Sequence, residues 1–179
     1  MKKTGLRKIC LAALFSALMA VSAQLAVPTV PPFTLQTFVL FLAMYLLGTK
    51  TALVSVSVYL ALGFVGLPVF AGFRGGVSAF ASATGGYLLG FVLAVLVAGA
   101  VMRIFGKKDV VTAISYSLGM LVCYIFGSAW YYVFCLRSSG TVGLVAIISQ
   151  CVLPFIPFDA IKIAFAIFIG KKLRKVFAL

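Results

Sequence analysis

Gly85-Gly-Tyr-Leu-Leu-Gly-Phe-Val-Leu-Ala-Val-Leu-Val-Ala-Gly-Ala-Val-Met102 runs without a single charge and then meets Arg103, Lys107 and Lys108. An apolar run of this length suits the hydrocarbon core of a bilayer, which takes ~20 residues of α-helix. Basic residues gathered at one end mark the cytoplasmic side of such a helix. The same pattern recurs outward from this stretch. Ile9–Val27 follows Lys2, Lys3, Arg7 and Lys8, a run from Phe33 ends at Gly48-Thr49-Lys50, and the last run ends at Gly170 before Lys171, Lys172, Arg174 and Lys175. Across the 179 residues, 64% are hydrophobic and 9% are charged, with a mean hydropathy of +1.25. A soluble domain usually carries about a quarter charged residues, so a water-soluble enzyme is almost excluded.

The runs predict an all-α integral membrane protein, a single transmembrane domain over residues 1–179 with six helices. They fall at about residues 9–27, 33–48, 51–66, 85–102, 110–136 and 157–170. The first also resembles a signal peptide, with Val21-Ser22-Ala23 as a small-residue site, and is read as helix 1. Pro28-Thr29-Val30-Pro31-Pro32 cannot continue a helix and is expected as the first outer turn. Residues 67–84, with Pro68, Gly72, Arg74, Gly75 and Gly76, are too irregular to face lipid. Ordered loops of this length often carry function. Arg137-Ser138-Ser139-Gly140 reads as another outer turn, and Val142–Val152 as a short segment packed on the outer side. Of the fifteen Lys and Arg, twelve fall on the inner side of this layout, Arg74 and Arg137 fall outside, and Lys162 lies within a helix. Both termini are therefore expected in the cytoplasm of a multi-pass protein. The net charge of +13 describes orientation rather than a nucleic-acid partner.

The acidic residues are Asp109 and Asp159, with no Glu and no His. That removes an HExxH zinc site, a carboxylate pair for glycoside hydrolysis and a Ser-His-Asp triad. No catalytic residue, metal site or cofactor is expected, and a membrane enzyme is strongly disfavoured. No GxxxxGK[ST] phosphate loop occurs, so any ATP is used by a partner. Cys10, Cys123, Cys135 and Cys151 lack CxxC spacing and read as small buried hydrophobes.

Asp159 and Lys162 stand three residues apart in Pro154-Phe-Ile-Pro-Phe-Asp159-Ala-Ile-Lys162, which places both on one helix face. Asp159 is expected in the first turn, where the helix dipole favours an anion. The pair is either an internal ion pair that fixes packing or part of a ligand site, and ionisable groups at membrane depth favour the second. A carboxylate accepting N–H bonds beside a donating ammonium suits a urea-like or amide-like ligand. Arg74, among glycines of the outer loop, is either a clamp for a carboxylate or a solvated loop residue. Tyr124, Trp130, Tyr131 and Tyr132 read mostly as an interfacial belt, with one or two rings walling a pocket. Ala13-xxx-Ala17 and Ser16-xxx-Ala20 allow close approach of another helix, inside the bundle or from a partner.

Together these residues resemble the BioY family, the biotin-specific substrate-binding (S) components of energy-coupling-factor transporters. The resemblance covers nearly the whole chain. It is carried by Pro31-Pro-Phe-Thr-Leu-Gln36-Thr37, Gly66-Leu-Pro-Val-Phe-Ala-Gly72, Thr84-Gly-Gly-Tyr87, Gly127-Ser-Ala-Trp130 and the Asp159/Lys162 motif. It implies a six-helix bundle in a prokaryotic plasma membrane, binding biotin on its outer side. It also implies docking on a membrane-embedded coupling protein that works with two ATPase subunits. Asp159 and Lys162 are then ligand contacts, and Ala13 and Ala17 meet the coupling protein; Arg74, Gln36, Tyr87 and Trp130 are this reading's further candidates for the binding set. One departure is Ser82-Ala83, where the family commonly has Gly-Pro. Rivals to biotin binding are the same scaffold for another vitamin and a ligand-free structural or regulatory subunit.

Overall fold

The computed structural model describes residues 2–138 and 143–177, and every regular element among them is helical apart from two isolated β-bridges. The elements are α1 (Lys2–Gln24), α2 (Gln36–Leu47), α3 (Thr49–Phe64), α4 (Val77–Phe80), α5 (Gly85–Phe105), α6 (Asp109–Ser138), α7 (Leu144–Cys151) and α8 (Phe155–Phe177). α2 is the axis. Leu40, Phe41 and Ala43 are fully buried, and the helix packs on α1, α3, α5 and α8. A helix apolar on every side is stable only when neighbours surround it. It ends at Gly48, whose φ of 79° turns the chain directly into α3.

Small residues set how closely the other helices approach. Along the α5–α6 seam, a Cβ on Gly127 would lie 2.3 Å from the Tyr87 ring, and one on Gly119 would lie 2.6 Å from the Ala94 carbonyl oxygen. Only glycine permits that spacing, as in other membrane helix pairs. Between α1 and α3, the buried Ser16 hydroxyl donates to the Ser55 carbonyl at 2.7 Å. Ser16 therefore serves packing within the bundle, whereas Ala13 and Ala17 stay exposed on α1.

α2, α5 and α8 end where α3 and α6 begin, and this is the basic end of the bundle. Lys171 Nζ pairs there with Asp109 at 2.6 Å, and the Tyr45 hydroxyl donates to the same carboxylate at 3.3 Å. Asp109 is thus a junction of α2, α6 and α8. The opposite end carries residues 25–35, the 65–84 segment and α7.

Several boundaries differ from the sequence reading. α1 stops at Gln24 rather than Val27, because Val27 exchanges backbone hydrogen bonds with Phe33 across the proline turn. α2 starts at Gln36 rather than near residue 33, after that same turn. α8 begins at Phe155 and includes Pro157 in its first turn, where a missing N–H costs no intrahelical bond. Asp159 consequently lies past the first turn, and side chains rather than helix-end N–H groups hold it. Cys10 is exposed, while Cys123, Cys135 and Cys151 are buried. The turn expected at 137–140 falls partly on residues 139–142, outside the described residues.

Among the described residues, four helical stretches are long and apolar enough to cross a membrane: Gly5–Gln24, Gly85–Phe105, Asp109–Arg137 and Leu144–Lys175. Gln36–Leu47 and Thr49–Phe64 are apolar but shorter. At 1.5 Å per residue, α2 reaches only about 18 Å along its axis.

Candidate functional site

At the end away from the basic residues, α2, α5, α6 and α8 line a cavity of about 80 Å³ together with Pro31, Pro32, Phe70, Ala71 and Arg74. Among its most buried polar groups is Asp159, 4% exposed. Thr37 from α2 donates to Asp159 Oδ1 at 2.9 Å, Lys162 Nζ donates to the same oxygen at 2.9 Å, and the Tyr124 hydroxyl of α6 donates to Oδ2. Three donors from three helices converge on one buried carboxylate. Burial of a charge is tolerable only with such pairing. Lys162, 7% exposed, also sits 4.1 Å from the Phe33 ring centroid, a cation–π contact. Phe158 braces that ring edge-on at 4.6 Å.

Gln36 is turned by its neighbours. Its amide oxygen accepts from Thr34 at 2.8 Å, and its amide nitrogen donates to the Tyr59 hydroxyl, which donates onward to the Val69 carbonyl at 3.3 Å. This relay ties α2 and α3 to the loop. Arg74 lies at the cavity's rim. Paired backbone bonds between Phe70 and Arg74 pinch residues 70–74 into a tight turn, with Gly72 and Phe73 at φ 72° and 55°. The Arg74 Nε donates to the Ala71 carbonyl at 3.1 Å, and the residue is exposed. Tyr87 lines the cavity wall, its hydroxyl 3.0 Å from that of Ser128.

The structure therefore brings Asp159, Lys162, Gln36, Tyr87 and Arg74 around one hollow. Trp130 is elsewhere. Its indole N–H donates to the Ser82 carbonyl at 3.0 Å, and its ring lines an outer groove with Val77, Phe80 and Phe134. It pins the loop to α6. Ala13 and Ala17 lie on the exposed face of α1, away from the cavity.

Sequence reasoning missed Thr37 as a partner of Asp159 and assigned Tyr124 mainly to an interfacial belt, although Tyr124 is buried. A hydroxyl-bearing ring inside an apolar helix was the available signal for Tyr124. Gln24 was also missed. Its amide donates to the Phe70 carbonyl at 3.1 Å and accepts from the Phe73 N–H at 3.0 Å, holding the loop to the end of α1. No group of three or more His, Cys, Asp or Glu suited to a metal exists among the described residues. Chemically, the site offers one acceptor-only carboxylate, one ammonium and two hydroxyls that rotate to meet a ligand, against apolar walls from Leu88, Phe91, Met120 and Phe155. That combination suits binding of a compact polar ring with an apolar body.

Comparison with known proteins agrees with this chemistry. The model of the BioY family matches residues 1–179. A protein of Thermotoga maritima named biotin transporter BioY is 37% identical over 182 residues, covering 96% of this chain and 98% of its own. One from Pyrococcus horikoshii, named probable biotin transporter BioY, is 38% identical over 169 residues, covering 94% and 96%. Among solved structures, the S-component for biotin from an ECF-type ABC transporter superposes with a TM-score of 0.85 at 26% identity, covering 98% of this chain and 94% of that one.

Proposed function

The chain belongs to the BioY family, and from that premise we propose that it is the biotin-binding S subunit of a membrane importer, a transport component and not an enzyme. The observation that carries this reading is the buried Asp159–Lys162 pair lining the cavity. Biotin presents a ureido ring with N–H donors and a carbonyl acceptor, an apolar bicycle and a carboxylate tail. Asp159 accepts from the ring N–H groups while the Thr37 and Tyr124 hydroxyls swing aside, and Lys162 donates to the ureido oxygen. The apolar walls hold the bicycle, with Gln36 and Tyr87 beside it. The tail reaches the rim, where Arg74 meets the carboxylate through a charge-assisted bond. Trp130 acts by holding the loop in place.

In this reading six helices, α1, α2, α3, α5, α6 and α8, pass through a prokaryotic plasma membrane. Both termini lie in the cytoplasm and the cavity opens outward. The positive residues gathered at the end opposite the cavity support that orientation. Ala13 and Ala17 supply a close-packing face for a membrane-embedded coupling protein, which two ATPase subunits energise; the chain itself uses no cofactor. Titration of the purified protein in detergent with biotin, riboflavin and thiamin tests the assignment. Saturable binding of biotin alone is the expected result, and a preference for either other vitamin sinks it.

A further inference from the structure

A wider hollow of about 710 Å³ adjoins the cavity, and Pro32, Ala71, Arg74 and Thr84 line both spaces. Its walls come from the end of α1, the proline turn and the loop, including Gln24, Thr29, Phe73 and Ser82. Among the described residues lining it, Arg74 is the one charged group. The two spaces differ in chemistry as well as size. In the first, Thr37, Tyr124 and Lys162 converge on the buried Asp159 carboxylate. The rim offers one guanidinium and small or apolar neighbours. A ligand anchored by its ring at Asp159 and reaching Arg74 therefore brings its tail to the border of the second hollow.

Resting on the biotin reading, we infer that the site also takes biotin whose carboxyl group is joined as an amide to a larger residue, such as the side chain of lysine, with the appended part in the outer hollow. The amide carbonyl still accepts a hydrogen bond from Arg74. What is lost is the charge assistance of a carboxylate, a difference of about tenfold in affinity. No acidic side chain lines the hollow to repel the α-carboxylate of an appended lysine, and the wide space imposes no clash.

Calorimetric titration of the full chain in detergent with biotin and with the lysine side-chain amide of biotin tests this. The amide is expected to bind within 100-fold of biotin. Biotin binding with the amide weaker by more than 100-fold overturns the open rim and leaves the biotin reading intact, whereas silence towards biotin itself overturns both. In Arg74→Ala the two affinities are expected to converge to within about threefold, because the contact that favours the free carboxylate is gone. An undiminished preference for biotin in that variant overturns the placement of the tail at Arg74.

Discussion

Asp159 concentrates the chemistry of the site in a single side chain. Its carboxylate accepts from two hydroxyls and an ammonium while 4% exposed. Asparagine in its place keeps the shape but removes the charge and turns one of the two acceptor oxygens into a donor. Asp159→Asn is expected to weaken biotin binding by at least tenfold, about 1.4 kcal/mol, the scale of one lost charge-assisted bond. Calorimetry in detergent reads it, and unchanged affinity removes Asp159 from the ligand. The pairing with Lys162 was legible in the sequence because a helix places residues three apart on one face. Thr37 and Tyr124 were not, since they stand 122 and 35 residues away and reach Asp159 only through the packing of α2 and α6. Local spacing encodes nothing about such meetings.

Among the elements, α5 and α6 depend most on what is absent from their shared face. Gly127→Leu forces side-chain atoms into the Tyr87 ring, and overpacking of this kind costs about 1–3 kcal/mol. The variant is expected to unfold at a lower temperature in detergent, whereas Gly143→Ala, with no atom within 4 Å of its new methyl, stays at the wild-type value. Equal melting of all three proteins would show that the seam accommodates bulk. The helices themselves were readable, since long apolar runs between basic clusters leave few alternatives. Their ends were not. The bridge between Val27 and Phe33 that stops α1 is a tertiary pairing, and α4 is a four-residue turn inside a loop with no periodicity to announce it.

For the molecule as a whole, the segregation of charge makes orientation measurable. In a background lacking Cys10, Cys123, Cys135 and Cys151, Phe73→Cys is expected to react with an impermeant thiol reagent added to intact cells. Lys172→Cys is expected to react only after the membrane is opened. Both positions are exposed in the fold, so protection reports the bilayer rather than packing. Reversed labelling would invert the topology. The gathering of cations at one end was legible in the sequence because it is a sum over many residues, insensitive to the placement of any one. The holding of the loop was harder to foresee, because one of its ties is the Gln24 amide, which looked like an ordinary polar residue at a helix end. Replacing it by Leu is expected to raise the biotin dissociation rate several-fold in a competition chase, and an unchanged rate would show that the loop holds without it.

Gln24 also gives the bundle a mechanical property. It is the last residue of the 23-residue α1, and its amide grips the loop on both the Phe70 and the Phe73 side. The position of the Phe70–Phe73 turn is thereby indexed to the end of α1, so the two are built as one piece rather than as a helix with a loose flap.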